Sequence, residues 1–105
     1  MSSSPTSRSL AIMRARGFPL VQVTERWNAF AKVRVDLFGI IDILCVSETE
    51  IVGIQATSAS NVSARINKIT DSEALPVLRK AGVRVLVHGW KKVKGQWTLR
   101  EVDLS

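Results

Sequence analysis

Three polar residues, Asp42, Gln55 and Thr57, are spaced so that they could form one site on a β-sheet. Asp42 interrupts the apolar run 40–46, and the polar turn 47–50 leads back into a second strand-like segment. A hairpin about that turn places Asp42 opposite Gln55, and Thr57 projects from the same side. A carboxylate in an apolar strand is costly unless it is hydrogen-bonded or binds a cation. The spacing therefore predicts either a cation site or a polar cluster in which Gln55 and Thr57 donate hydrogen bonds to Asp42.

The charges are segregated along the chain in a way that suits contact with a polyanion. Residues 1–34 carry six basic residues and one acidic residue, and residues 60–94 carry eight basic and two acidic residues. Residues 35–59 between them carry four acidic residues and no basic one. Carboxylates that hold a cation, flanked by lysine and arginine that neutralise phosphates, are typical of a metal-dependent phosphodiesterase. Charged faces on an ordinary small protein are the alternative.

The apolar pattern predicts the elements that must position this site. Alternating and periodic segments give an α/β order of one helix, three strands, one or two helices and two strands. The expected elements are a helix from Ser4-Pro5 to Gly17, strands at 20–27, 33–46 (bent near Phe38-Gly39) and 51–57, a helix from Ser60 or Asn61 with a short helix after it, and strands at 83–90 and 96–104. The run 40–46 is apolar on both faces and predicts a central strand.

Length and composition indicate one domain over residues 1–105, with residues 1–4 flexible. The apolar fraction of 46% is enough for a core, which argues against global disorder. No apolar run approaches the roughly 20 residues that a membrane-spanning helix needs, so no membrane association is expected. The single cysteine, Cys45, lies in a strand pattern and cannot form an internal disulfide, which favours a reduced, cytoplasmic protein.

The segment Arg34-Val-Asp-Leu-Phe-Gly-Ile-Ile-Asp-Ile-Leu, followed by a polar turn and Gly53-Ile-Gln-Ala-Thr, resembles the core of the PD-(D/E)XK nuclease superfamily. The small resolvase-like and phage-type nucleases are the most similar group. The resemblance implies a restriction-endonuclease-like αβββαβ core with a central mixed sheet flanked by helices. It places Asp42 at the motif aspartate, Gln55 at the glutamate position and Thr57 at the lysine position.

By this resemblance, Asp42 and a second carboxylate would bind Mg²⁺ or Mn²⁺ while a lysine helps to activate water. The sequence departs from the family pattern, because Gln55 is neutral and Thr57 cannot supply positive charge. Asp36 or Glu25 could provide the missing carboxylate, and Lys68 or Arg65 could return a cation to the site. The expected metal ligands are Asp42, Gln55 and Asp36, and the expected catalytic residues are Asp42, Gln55, Thr57 and Lys68.

Two surfaces are candidates for contact with nucleic acid. On the helix after Thr57, polar residues lie away from the apolar positions and could contact phosphates, or could simply be solvated. These residues are Asn61, Ser63, Arg65 and Lys68. Lys91 and Lys92 lie near a hairpin tip flanked by two tryptophans, whose more common role is packing. A lone histidine, His88, carries no metal-binding pattern and is interpreted as structural.

The sequence thus predicts a metal-dependent endodeoxyribonuclease, with branched DNA of the Holliday-junction type as a possible substrate. One alternative is a catalytically inactive DNA-binding module on the same fold, and another is a basic subunit that docks on a protein partner. Symmetric cuts in both strands would require two active sites, so we expect a homodimer with two-fold symmetry.

Overall fold

The computed structural model describes residues 4–105, which form one α/β domain. The helices are α1 (Pro5–Ala15), α2 (Val62–Thr70) and α3 (Ala74–Lys80), with a short 3-10 helix at Ala59–Asn61 directly before α2. The strands are β1 (Leu20–Val23), β2 (Arg26–Asn28), β3 (Val33–Val35), β4 (Ile43–Val46), β5 (Ile51–Ser58), β6 (Val83–Val93) and β7 (Gln96–Asp103).

The start of α1 follows from its first residues. Pro5 lies in the first helical turn, and the side chain of Ser4 accepts a hydrogen bond from the backbone N–H of Ser7. The Ser7 hydroxyl in turn accepts a bond from the Ser4 N–H, which completes a capping box. The expectation that residues 1–4 are flexible falls on residues 1–3, which lie outside the described residues, and on Ser4. Ser4 is the N-cap of α1, and its flexibility stays a prediction.

Five strands form one mixed sheet in the order β1-β4-β5-β6-β7. The pairs β1–β4, β4–β5 and β6–β7 are antiparallel, whereas β5 and β6 are parallel and are connected through α2 and α3. The remaining strands, β2 and β3, form a separate antiparallel hairpin. The mixed sheet with three helices agrees with the predicted α/β class, whereas the restriction-endonuclease-like core stays a prediction.

The helices cover opposite faces of the sheet and create two cores. Met13 of α1 packs with one set of buried residues: Ile43, Cys45, Val52, Ile54, Ala56 and Leu86. The second core, formed with α2 and α3, contains Ile40, Ile41, Val62, Ile69, Leu75, Val85 and Val87. Because side chains alternate along a strand, Val52, Ile54 and Ala56 of β5 face α1. Gln55 and Thr57 therefore face the side of α2.

Two segments that the sequence pattern presents as single strands are each broken. The predicted strand 20–27 is interrupted at Thr24, whose hydroxyl donates a hydrogen bond to the backbone oxygen of Ile41. The predicted strand 33–46 is interrupted by a turn in which Phe38 and Gly39 have positive φ. The β2–β3 hairpin therefore leaves the sheet after β1 and returns before β4.

The run 40–46 was predicted to be one central strand, but only residues 43–46 form a strand, which is paired on both sides. Residues 40–42 precede β4, and β4 itself lies second in the sheet, whereas β5 lies at the centre. Ile40 and Ile41 are buried because they pack in the core under α2 and α3. A strand that is covered on both faces and a loop segment that is buried beneath helices both have a continuous run of apolar residues. The sequence alone therefore could not distinguish the two structures.

No helix among residues 4–105 is long and apolar enough to cross a membrane.

Candidate active site

Asp42 is positioned by the antiparallel pairing of β4 with β5. Leu44 is opposite Gly53, as predicted, and the backbone N–H of Asp42 donates to the carbonyl of Ile54 at 2.9 Å. The same register brings the Asp42 carboxylate to Gln55, whose Nε2 donates to Oδ2 at 3.0 Å. A hairpin register read from the sequence was therefore sufficient to place Asp42 and Gln55 together.

The other partner of Asp42 is a backbone group. The N–H of Ala56 lies 3.2 Å from Oδ1 and 3.1 Å from Oδ2 of Asp42. The suggested hydrogen bond from Thr57 to Asp42 is not among the contacts of the described residues, although Thr57 is buried on the expected face of the sheet. The backbone N–H of Ala56 is the second donor to the carboxylate, and side-chain patterns do not reveal a backbone donor.

Asp42 is held in an environment that disfavours its charge. Burial, which leaves 4% of the residue exposed, raises the pKa of its carboxyl from 3.8 to about 7. The Ala56 N–H and the Gln55 amide lower this pKa, whereas the negative charges of Asp36 and Glu25 raise it further. A positive charge close to Asp42 would therefore stabilise its deprotonated carboxylate.

Two more carboxylates complete an acidic cluster with Asp42. Glu25, Asp36 and Asp42 each present an oxygen, and these three oxygens lie within 4.8 Å of one another. Glu25 lies between β1 and β2, and Asp36 directly follows β3, so both are brought in by the ends of the hairpin. Their side chains are 20% and 12% exposed, so the cluster is partly accessible to solvent.

Three basic side chains surround these acids. Lys68 Nζ donates to Asp36 Oδ2 and to Gln55 Oε1, both at 3.2 Å. Arg65, one turn earlier on α2, donates to Gln55 Oε1 at 3.4 Å. Arg34 of β3 pairs with Glu25 at 3.3 Å. The helix after β5 thus brings Lys68 and Arg65 to the side of the sheet that carries Asp42.

Gln55 connects the acidic cluster to the basic residues. Its Nε2 donates to Asp36 at 3.2 Å as well as to Asp42, while its Oε1 accepts from Lys68 and Arg65. In this orientation the amide oxygen points away from the acids. A direct role of Gln55 as a metal ligand stays a prediction and requires the amide to turn by about 180°, since its oxygen is the ligand atom.

The residues present fit a divalent metal ion. Mg²⁺ and Mn²⁺ prefer hard oxygen ligands, and three carboxylates converge here. The raised pKa of Asp42 indicates that its charge is incompletely compensated by the protein groups around it. Glu25, Asp36 and Asp42 are the residues that would hold the ion. The sequence named Glu25 only as an alternative to Asp36, and in the structure both reach the cluster.

The predicted nucleic-acid contacts fall into two groups. Asn61 and Ser63 are exposed at the start of α2, where the Asn61 amide donates to the Ser58 hydroxyl at 3.1 Å. Lys91 and Lys92 are exposed on the part of β6 that extends beyond its pairing with β5. Each of the four is therefore accessible to a ligand.

Both hairpins that carry basic residues extend from the end of the sheet where the acidic cluster lies. The β2–β3 hairpin follows Val23, which pairs with Ile43, the residue after Asp42. The tip of the β6–β7 hairpin lies beyond Trp90, which pairs with Ser58 at the end of β5. The cluster thus lies between two hairpins, β2–β3 on the β1 side of the sheet and β6–β7 on the β7 side.

A second polar network lies on the opposite face of the sheet, under α1. Trp90 Nε1 donates to Ser9 Oγ at 2.9 Å, Ser9 Oγ lies 2.8 Å from His88 Nδ1, and His88 Nε2 lies 2.8 Å from Glu101. The indole N–H of Trp90 can only donate, so the Ser9 oxygen accepts from it and the Ser9 hydroxyl is free to donate to His88 Nδ1. In a neutral His88 the proton is then on Nε2, which donates to Glu101. Burial lowers the pKa of His88.

The sequence did not reveal that network because Ser9 is about 80 residues from His88 and Trp90. Ser9 and His88 are fully buried, so no substrate could reach the serine hydroxyl. The network therefore connects α1 to β6 and β7. Trp90 takes part in this packing, whereas Trp97 is 45% exposed and lies under the guanidinium of Arg8 at 3.5 Å.

Comparisons with protein-family models, curated proteins and solved structures found no match to this chain.

Proposed function

We propose that this protein is a metal-dependent endodeoxyribonuclease whose active site is the cluster of Glu25, Asp36 and Asp42. One observation carries the proposal: three carboxylate oxygens lie within 4.8 Å of one another beside Lys68. A desolvated acid at the centre of a mixed-charge cluster is typical of functional sites. The resemblance of the segment around Asp42 and Gln55 to PD-(D/E)XK nucleases is the reason to propose phosphodiester hydrolysis as the chemistry.

A polyanionic substrate agrees with the charges around the cluster. The chain has a net charge of +6, and exposed lysines and arginines lie on both hairpins that flank the cluster. Long-range attraction would concentrate DNA at this end of the sheet, while the acids would repel it unless a cation is bound. Occupancy by a divalent ion would therefore be needed for a phosphate to reach Asp42 itself, whereas the flanking hairpins would bind DNA without it.

A divalent ion in this cluster would lower the pKa of a bound water and offset negative charge on the phosphate. The Ala56 N–H would hold the Asp42 carboxylate in place. The Gln55 amide, which donates to both Asp36 and Asp42, would fix the distance between these two carboxylates. Lys68, whose side chain is 43% exposed, can turn its Nζ from Asp36 to a phosphate oxygen. Arg65 would provide a second positive charge on the same side.

The first prediction concerns DNA cleavage. With Mg²⁺ or Mn²⁺ the wild-type protein is expected to cut at least one of three labelled substrates: duplex, single-stranded and four-way-junction DNA. Asp42→Asn or Asp36→Asn should lower the single-turnover rate about a hundredfold or more, and Lys68→Ala should lower it by roughly a hundredfold. Gel analysis of the labelled products measures these rates.

Matched controls separate this site from the general charge of the surface. Asp71→Asn changes an exposed acid at the end of α2, and Lys80→Ala changes an exposed base at the end of α3. Both should cut at the wild-type rate. Cleavage that survives Asp42→Asn, or that proceeds equally well in chelator, would remove the basis for the proposal.

The second candidate function is DNA binding without catalysis on the same fold, and the orientation of Gln55 favours it. The Gln55 amide nitrogen already satisfies one oxygen of Asp36 and one of Asp42, and Lys68 neutralises Asp36. Such a cluster can be stable without a metal ion. It predicts DNA binding that weakens steeply with salt, is indifferent to chelator and is never followed by a cut.

A further inference from the structure

The β2–β3 hairpin, residues 26–35, is joined to the acidic cluster at both of its ends. Glu25 immediately precedes it and Asp36 immediately follows it. Its base is fixed to the sheet, since the N–H of Thr24 donates to the Asp42 carbonyl at 2.9 Å and the N–H of Leu37 donates to the Ile41 carbonyl at 2.7 Å. Whatever binds the hairpin is therefore held at a defined distance from the carboxylates.

The hairpin exposes aromatic side chains to an unusual degree. Phe30 is fully exposed, Trp27 is 61% exposed and Val33 is 49% exposed. The tip that carries Phe30 is ordered by Asn28, whose side-chain oxygen accepts from the backbone N–H groups of Phe30 and Ala31 at 3.0 and 3.1 Å. An aromatic ring on a fixed turn loses little conformational entropy when it binds a flat partner.

The charges of the hairpin indicate what that partner is. Residues 26–35 contain three basic residues, Arg26, Lys32 and Arg34, and no acidic one. All three are exposed, and Arg34 also pairs with Glu25 at the base. Aromatic rings interleaved with positive charges suit a nucleic-acid strand, whose bases stack and whose phosphates attract lysine and arginine. An apolar protein surface would leave these charges unpaired.

We propose that the β2–β3 hairpin binds unstacked DNA bases next to the phosphate that reaches the acidic cluster. Trp27 and Phe30 stack on the bases, and Arg26 and Lys32 contact the backbone. The six residues from Glu25 to Phe30 span at most roughly 17 Å, or about five nucleotide steps. Bases inside a duplex are already stacked, so the hairpin selects DNA with unstacked bases, such as branch points, flaps and single strands. This inference rests on the proposed function, because it assumes that DNA is the substrate.

The test measures binding in chelator, where no cutting can occur. Fluorescence anisotropy with labelled oligothymidylate, a four-way junction and a blunt duplex gives the three affinities for the full-length protein. Phe30→Ala and Trp27→Ala should each weaken binding to oligothymidylate and the junction about tenfold, because each variant loses the stacking of a base on one aromatic ring. Duplex affinity should change less than about twofold, and Trp27→Phe should retain most of the wild-type selectivity because a ring remains.

Val77→Ala is the matched control, because Val77 is 67% exposed on α3, outside both hairpins. It should leave all three affinities unchanged. Circular dichroism verifies that each variant is folded.

Three outcomes would overturn the inference. The first is an equal loss for all three DNAs. The second is no loss in the hairpin variants of a protein that binds and cuts DNA, which leaves the proposed function intact. The third is a change in molecular mass on sedimentation without a change in DNA selectivity, which would assign the hairpin to contact with a second copy of the chain. A wild-type protein that neither binds nor cuts any of these DNAs would instead contradict the proposed function itself.

Discussion

At the scale of single residues, the site depends on how one buried carboxyl is compensated. Asp42 receives a backbone N–H and a neutral amide, while two other carboxylates lie close to it. These donors offset only part of the cost of burial, and the pKa of Asp42 is therefore about 7. The protein groups around Asp42 therefore do not fully stabilise its deprotonated form. A divalent cation bound next to the carboxylate would stabilise that form.

The pKa of Asp42 predicts how stability without metal depends on pH. Because the pKa of the folded state is raised above 3.8, the folded protein binds more protons than the unfolded chain between about pH 4 and 7. The contribution of Asp42 to the free energy of unfolding is therefore complete at low pH. It falls by up to about 1.4 kcal/mol per pH unit as the pH rises through this range.

Asp42→Asn removes this titration, so the variant should gain stability relative to wild type between about pH 5 and pH 8. Urea unfolding of both proteins in metal-free buffer at the two pH values measures the difference. A wild-type-to-variant difference that is the same at both would show that Asp42 ionises normally.

At the scale of elements, the site depends on how closely α2 approaches the sheet. Gly89 of β6 lies directly beneath Val62, and a Cβ there would overlap the Val62 side chain and lie 3.2 Å from the backbone Cα of Ala59. This approach sets the height of α2 over β5 and hence the reach of Arg65 and Lys68 to Gln55. The glycine is needed for space, since its φ is not in the left-handed region.

Gly89→Ala should therefore both destabilise the protein and disturb the site. Overpacking of this kind costs about 1–3 kcal/mol, and the backbone of the 3-10 helix cannot simply rotate away. We expect a lower urea midpoint and, at a pH and temperature where the variant is still folded, a lower cleavage rate. Thr98→Ala on the exposed strand β7 is the control and should match wild type in both. Wild-type stability in Gly89→Ala would mean that α2 packs less closely than described.

The sequence was informative where one local rule decided the structure. The turn 47–50 sets the register of β4 with β5, and this register alone brings Asp42 to Gln55. The break at Thr24 and the β2–β3 hairpin were not predicted, because β-rich patterns do not show which strand a segment will pair with. The link from Ser9 to His88 joins residues 79 positions apart and depends on the packing of α1.

At the scale of the whole molecule, the candidate active site and the polar network under α1 lie in different parts of the domain. The acidic cluster lies at one end of the sheet, between two hairpins that carry exposed basic residues. The opposite face, under α1, contains the buried Ser9–His88 link. Under the proposed function, this arrangement would place a long polyanion across one end of the domain. The expected homodimer stays a prediction, and two such ends related by two-fold symmetry would address both strands of a DNA.

We propose that Glu25, Asp36 and Asp42 form a divalent-cation site, and titration with Mn²⁺ measures whether they bind such an ion. Titration followed by electron paramagnetic resonance distinguishes free from bound Mn²⁺ without any substrate. We expect binding to the wild-type protein to be weakened at least about tenfold in Asp36→Asn and in Asp42→Asn. It should be unchanged in Asp71→Asn. Binding that is absent from wild type, or that is equal in all four proteins, would contradict the claim.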